Sequence, residues 1–165
     1  MVRGDESPEE IIVLAYGMEM GLGRFYSKLS EKTDDDEVAG LFVNLSKVEE
    51  NHKQRLFNVY LTMDHAQSDH ERFESKIVAE VMEGGFTTEE FLEQNKNAMQ
   101  TIPDVLNIAM MLETQAMDLY LRYSQKIDEE QSKRVLYDIA EEEKAHLESL
   151  GRLLDIKEKE SGLIV

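Results

Sequence analysis

Val48-Glu49-Glu50-Asn51-His52-Lys53-Gln54-Arg55-Leu56 sets a glutamate three residues before a histidine in the middle of a helical pattern. Val38, Leu41, Phe42, Leu45, Val48, Leu56 and Val59 recur at helical spacing and mark one apolar stripe. Glu49 and His52 fall on that stripe, where an unpaired carboxylate would cost several kcal/mol (on the order of a buried, uncompensated charge). The pattern returns 94 positions on, as Glu143-Lys144-Ala145-His146. In the same register, and without a gap, Glu19 aligns with Glu113, Tyr26 with Tyr120 and Ser30 with Ser124. Apolar positions follow: Ala15 with Ala109, Leu41 with Val135, Leu45 with Ile139, Leu56 with Leu150.

One Glu-x-x-His says little. With 35 acids in 165 residues, roughly one histidine in five has an acid at that spacing by chance, and such pairs are ordinary on helix surfaces. Two in register, each with a further glutamate 30 residues upstream, form a pattern that chance rarely produces. The chain therefore reads as two copies of a helical hairpin.

The helix signals agree. Ser7-Pro8-Glu9-Glu10 combines a cap, a proline at the first helical position and a capping box, and opens a helix over about 8–32. Thr33-Asp34-Asp35-Asp36-Glu37 breaks it and caps a second, about 35–63. Thr101 with Asp104, and Pro103 in the first turn, start a third, about 102–126; a fourth follows over about 129–156. The connector over 64–101 is too long for a turn between neighbours and contains two short helical patterns, 70–83 and 88–99, split by Gly84-Gly85. These features predict an all-α, single-domain four-helix bundle over 1–165, its two hairpins joined by a long crossover.

Composition narrows function. A net charge of −17 argues against nucleic acid and anionic membranes as partners, and would attract cations. The absence of cysteine excludes disulfides, iron–sulfur clusters and thiolate-held zinc. No apolar run approaches the length of a membrane span, and no secretory signal is visible, so a cytoplasmic location is expected. His65 and His70, in the connector with no acid three residues before them, read as surface residues.

Each long helix carries one acid on its apolar stripe. The first reads Ile12, Ala15, Glu19, Leu22, Tyr26, Leu29; the third, Val105, Ala109, Glu113, Ala116, Tyr120. The fourth reads Val135, Ile139, Glu143, His146, Leu150, Leu153. The stripes offer no Lys or Arg to pair with these acids, and mutual protonation demands large pKa shifts. Two divalent cations close the charge of four carboxylates, with two neutral imidazoles completing the ligand set. Oxygen-rich ligands with one nitrogen per metal suit iron or manganese, with zinc as a further candidate.

A lone glutamate on the first and third helices, with Glu-x-x-His on the second and fourth, resembles the ferritin-like di-metal carboxylate superfamily, and most of all its rubrerythrin-like branch, over about residues 8–156. The resemblance implies two iron ions held by Glu19, Glu49, His52, Glu113, Glu143 and His146, which would act in catalysis through the metals. Glu49 and Glu143 would bridge, and Glu19 and Glu113 would be terminal. Tyr26 and Tyr120 would donate hydrogen bonds to the ligands, their alternative being ordinary core. It further implies an oxidoreductase of oxidative stress, a homodimer, that reduces hydrogen peroxide or dioxygen with electrons from a rubredoxin-like protein. Two features depart from the family. Ala116 stands where rubrerythrins usually carry a further glutamate, and the cysteine-bound rubredoxin module is missing. They keep three other readings open: a ferroxidase, a metal-binding or sensing module without turnover, and a metal-free bundle that mediates association.

Overall fold

Ser7, Asp35, Thr101 and Glu129 each cap a long helix in the computed structural model, which describes residues 6–63, 69–77 and 86–162. Helix α1 spans Pro8–Lys32 and α2 spans Asp36–Thr62. Two short helices, α3 (His70–Glu74) and α4 (Thr88–Asn95), belong to the crossover. Helices α5 (Ile102–Ser124) and α6 (Glu130–Glu160) form the second hairpin. The described residues contain no strand. The expected capping boxes are both made: Glu10 bonds back to the Ser7 amide at 2.8 Å and Asp104 to the Thr101 amide at 2.9 Å. Each box satisfies backbone donors that a helix start otherwise leaves bare.

α1 packs along α2 and α5 along α6, while α2 meets α6 and α1 meets α5 to join the hairpins. The buried stripes face one another across this bundle and bury Phe25, Phe42, Leu106 and Leu136 completely. Phe42 and Leu136 take the deep positions; Leu41, Val48, Val105 and Val135, expected in the stripes, are only half-buried. A stripe with apolar residues at successive positions leaves its rotation open by one residue, and the larger ring of Phe42 takes the core.

The crossover differs in detail from its expected form. Within the described part of the first pattern the helix spans His70–Glu74, and the second ends at Asn95 before a 3₁₀ turn over Lys96–Ala98. His65, Gly84-Gly85 and the end of the first pattern lie outside the described residues. α3 docks through Phe73, fully buried against Tyr16, Phe57 and Tyr60 with ring centroids 4.9, 5.2 and 4.5 Å away. His70 is exposed as expected, yet it also anchors α3, its Nε2 lying 3.1 Å from the Tyr16 hydroxyl. α4 docks through Phe91 against Phe25 and through Thr88, whose hydroxyl bonds the Gly21 carbonyl at 3.1 Å. α6 runs four residues beyond its expected end. Lys157, nearly buried, reaches Asp35 at 2.9 Å and Glu37 at 3.3 Å, which ties the last turn to the start of α2.

Candidate metal centre

At the middle of the bundle the four stripes turn their acids toward one point. Glu19, Glu49, Glu113, Glu143 and His52 are fully buried, and His146 retains 8 % exposure. Both imidazoles present Nδ1 to this point. His52 Nδ1 lies 3.0 Å from Glu49, 3.1 Å from Glu143 and 3.4 Å from Glu19. His146 Nδ1 lies 2.9 Å from Glu143, 3.3 Å from Glu113 and 3.7 Å from Glu49. The two rings are 5.9 Å apart.

One donor atom from each of Glu19, Glu49, His52 and Glu143 lies within 4.8 Å of the others; Glu49, Glu113, Glu143 and His146 form a second such group. Glu49 and Glu143 belong to both. The six residues singled out by the repeat are thus brought together, as two overlapping clusters related by the hairpin duplication.

The tyrosines are brought in too, crosswise. Tyr26 of the first hairpin donates to Glu113 of the second, and Tyr120 of the second donates to Glu19 of the first. Burial, then the neighbouring carboxylate charges, pushes both phenols well above their ordinary pKa, so each keeps its proton for that bond.

Among the described residues no Lys or Arg pairs with these four acids, in keeping with the sequence reading. Protons must balance the charge in the metal-free chain. Burial, then the charges of Glu143 and Glu19, drives the Glu49 carboxyl well above its usual range. Burial, with the Glu143 carboxylate beside it, moves Glu113 up to about 8. Burial works against both imidazolium ions, but the surrounding carboxylates win: His52 is held well above its ordinary range and His146 at about 9. With two of the four acids protonated, the two imidazolium ions cancel the two carboxylates that remain, so four protons give the balance that two divalent cations would give.

Protons do not satisfy the geometry equally well. Each imidazole nitrogen carries one proton for several acceptors, so Glu19 Oε2, Glu49 Oε1 and Glu143 Oε1, buried 3.4, 3.7 and 3.1 Å from the nearest Nδ1, are left without a well-formed hydrogen bond. Each such oxygen costs about 1–3 kcal/mol, and the cost is removed by a cation within reach. Three orphaned oxygens among hard oxygen donors and Nδ1 atoms are a fit to divalent transition metals.

Two residues of this centre escaped the sequence reading. Behind His52, Nε2 lies 3.0 Å from Glu142 Oε2, and Glu142 Oε1 in turn accepts from Arg55 at 2.5 Å. Burial opposes it, but the bonds from His52 and Arg55 hold Glu142 below the usual carboxylate range. Both residues sit beside the motif, Arg55 three positions after His52 and Glu142 next to Glu143, but they resemble the solvated face of a charged helix. The repeat does not flag them, because Glu142 aligns with Val48 and Arg55 with Ser149.

A bundle of two hairpins with a buried Glu/His cluster compatible with a di-metal site defines a ferritin-like carboxylate protein. The sequence profile of the rubrerythrin family matches residues 10–154, and the chain belongs to that family. Comparisons with curated proteins and with solved structures gave no match. No described helix is long and apolar enough to cross a membrane.

Proposed function

We propose that the chain holds two iron ions between Glu19, Glu49, His52, Glu113, Glu143 and His146, and is an oxidoreductase that reduces hydrogen peroxide or dioxygen. The observation that carries this reading is the pair of four-donor clusters sharing Glu49 and Glu143, which supports a bridging role for those two and a terminal one for Glu19 and Glu113. Bound as Fe(II), the pair supplies two electrons together. The chain's own residues bind and orient. The Nδ1 atoms of His52 and His146 face inward, and the crossed tyrosines each donate to one oxygen of Glu19 or Glu113; the second oxygen of Glu19 has no hydrogen bond, and that of Glu113 faces His146 Nδ1, the side on which a cation would sit. The buried aromatic and aliphatic shell limits water around the centre. With no cysteine among these residues to hold a second iron centre, reducing equivalents come from a rubredoxin-like donor.

Ala116 favours a second reading. It is fully buried on α5, one turn beyond Glu113, and supplies no oxygen where the family usually has a further carboxylate. With fewer ligands to rearrange between oxidation states, the centre suits ferroxidase chemistry or metal holding without turnover. Anaerobic loading with Fe(II), followed by stopped-flow absorbance after mixing with peroxide or dioxygen, separates these. Faster oxidation by peroxide is expected; faster oxidation by dioxygen supports the ferroxidase, and no oxidation by either supports the holding module.

A further inference from the structure

The duplication builds two like half-sites, yet their surroundings differ. Behind His52 stand Glu142 and Arg55. Behind His146 the aligned positions are Val48 and Ser149, and no described side chain bonds its Nε2. For Nδ1 of a histidine to offer its lone pair to a metal, the proton must sit on Nε2. Glu142 accepts a hydrogen bond from Nε2–H and so fixes that tautomer and the ring plane for His52 alone. Outer partners of this kind are worth about 10–100-fold in metal affinity.

A second difference lies on the same half. A polar cleft of about 290 Å³ opens between α1 and α2, and its lining includes the buried Glu19 together with Gly23, Ser27, Ser46, Glu50 and Lys53. At the aligned positions of the second hairpin stand Met117 for Gly23, Leu121 for Ser27 and Ala140 for Ser46. Met117 and Leu121 pack against the core there. The missing side chain at Gly23 therefore leaves room over Glu19 that Met117 fills on the other side.

We propose that the two half-sites load in order: a divalent cation enters through the α1–α2 cleft and settles first on the Glu19–His52 half, which Glu142 and Arg55 make the tighter of the two. This rests on the metal-centre reading above. The cleft governs the rate of entry, and the Glu142–Arg55 pair governs affinity, so the two parts separate by experiment.

Anaerobic titration with Co(II), read by its visible absorption, should show two steps about 10–100-fold apart in wild type. Glu142→Gln should weaken the first step by a factor in that range and leave the second unchanged, while Val48→Glu should tighten the second. Gly23→Met installs the residue the second hairpin already uses. A β-carbon at Gly23 meets Glu49 and Ser46 only at ordinary contact distances of 3.5 and 3.8 Å, so the backbone there has room for a side chain to start into the cleft. In stopped-flow uptake of Co(II), Gly23→Met should lose the fast phase with both affinities retained, and Ser27→Leu provides a second block of the same cleft. Two steps of equal affinity that Glu142→Gln leaves unmoved, or a fast phase that survives both cleft variants, overturn the proposal. If a His52→Ala, His146→Ala double variant takes up as much Co(II) as wild type, the metal-centre reading itself fails instead.

Discussion

Replacing Glu19 with Leu and Tyr120 with Phe tests whether the centre is built for metal at the expense of the metal-free fold. Glu19 is fully buried, one of its oxygens accepts no hydrogen bond, and it faces Glu49, Glu143 and His52. Exchanging such a group for a packed apolar one is neutral or stabilising by about 1–4 kcal/mol. Glu19→Leu alone, however, strands the buried Tyr120 hydroxyl, at about 1–3 kcal/mol. The single variant should therefore lie near chelator-stripped wild type, the two effects offsetting. Tyr120→Phe alone should be less stable, since it removes the hydrogen bond that Glu19 accepts and leaves only the His52 Nδ1 contact at 3.4 Å. The double variant strands nothing. It should exceed metal-free wild type by about 1–4 kcal/mol, or roughly 2–15 °C in Tm for a chain of this size. Thermal and urea denaturation of all four proteins in chelator, followed by far-ultraviolet circular dichroism, gives the full cycle and its coupling term. With divalent metal the gap should shrink, because wild type gains about 2.7 kcal/mol per site at 100 times Kd and the double variant gains less, and the order should reverse once that difference in gain exceeds the metal-free advantage. A double variant less stable than metal-free wild type by more than about 1 kcal/mol would refute the reasoning, because an exchange of this kind then carries a net penalty.

Without metal, stability should fall as pH rises from about 6.5 to 8. Glu113 at about 8 and His146 at about 9 bind protons in the folded state that ordinary carboxyls and imidazoles release, so the favourable His146 pairing is complete below 6.5 and lost through 9, while the Glu113 penalty grows toward 8. The slope should approach about 1.4 kcal/mol per pH unit for each proton, and urea melts across this range in chelator check it. Loading two divalent ions at neutral pH should release about four protons, read by calorimetry in buffers of different ionisation enthalpy. Crystals of the loaded protein should show two anomalous-scattering peaks about 3–4 Å apart, with Glu49 and Glu143 between them. Phe73→Ala, in the small helix that caps Tyr16, Phe57 and Tyr60, should cost about 3–5 kcal/mol in chemical denaturation while leaving metal stoichiometry unchanged.

Much of this protein is local in origin, and what is local is legible in the chain. Helix starts follow from side chains three residues apart, so Ser7 with Glu10 and Thr101 with Asp104 mark them without any tertiary information. The acids on the apolar stripes stand out because helical period alone places them inward, and the repeat of 94 positions pairs them. What the period cannot say is which residues meet across helices, since that depends on the rotation and crossing of each pair. Tertiary structure decided that Tyr26 reaches Glu113 rather than Glu19, seven residues earlier on its own helix. It decided that Glu49 and Glu143 face both clusters, and that Phe42 and Leu136 lie deeper than Leu41 and Val135. It also carried α6 past Ile156, because Lys157 finds Asp35 and Glu37 on a helix more than a hundred residues earlier. Glu142 and Arg55 are the sharpest case: in the chain they are two charges among many, and only the approach of α6 to α2 turns them into the support behind His52.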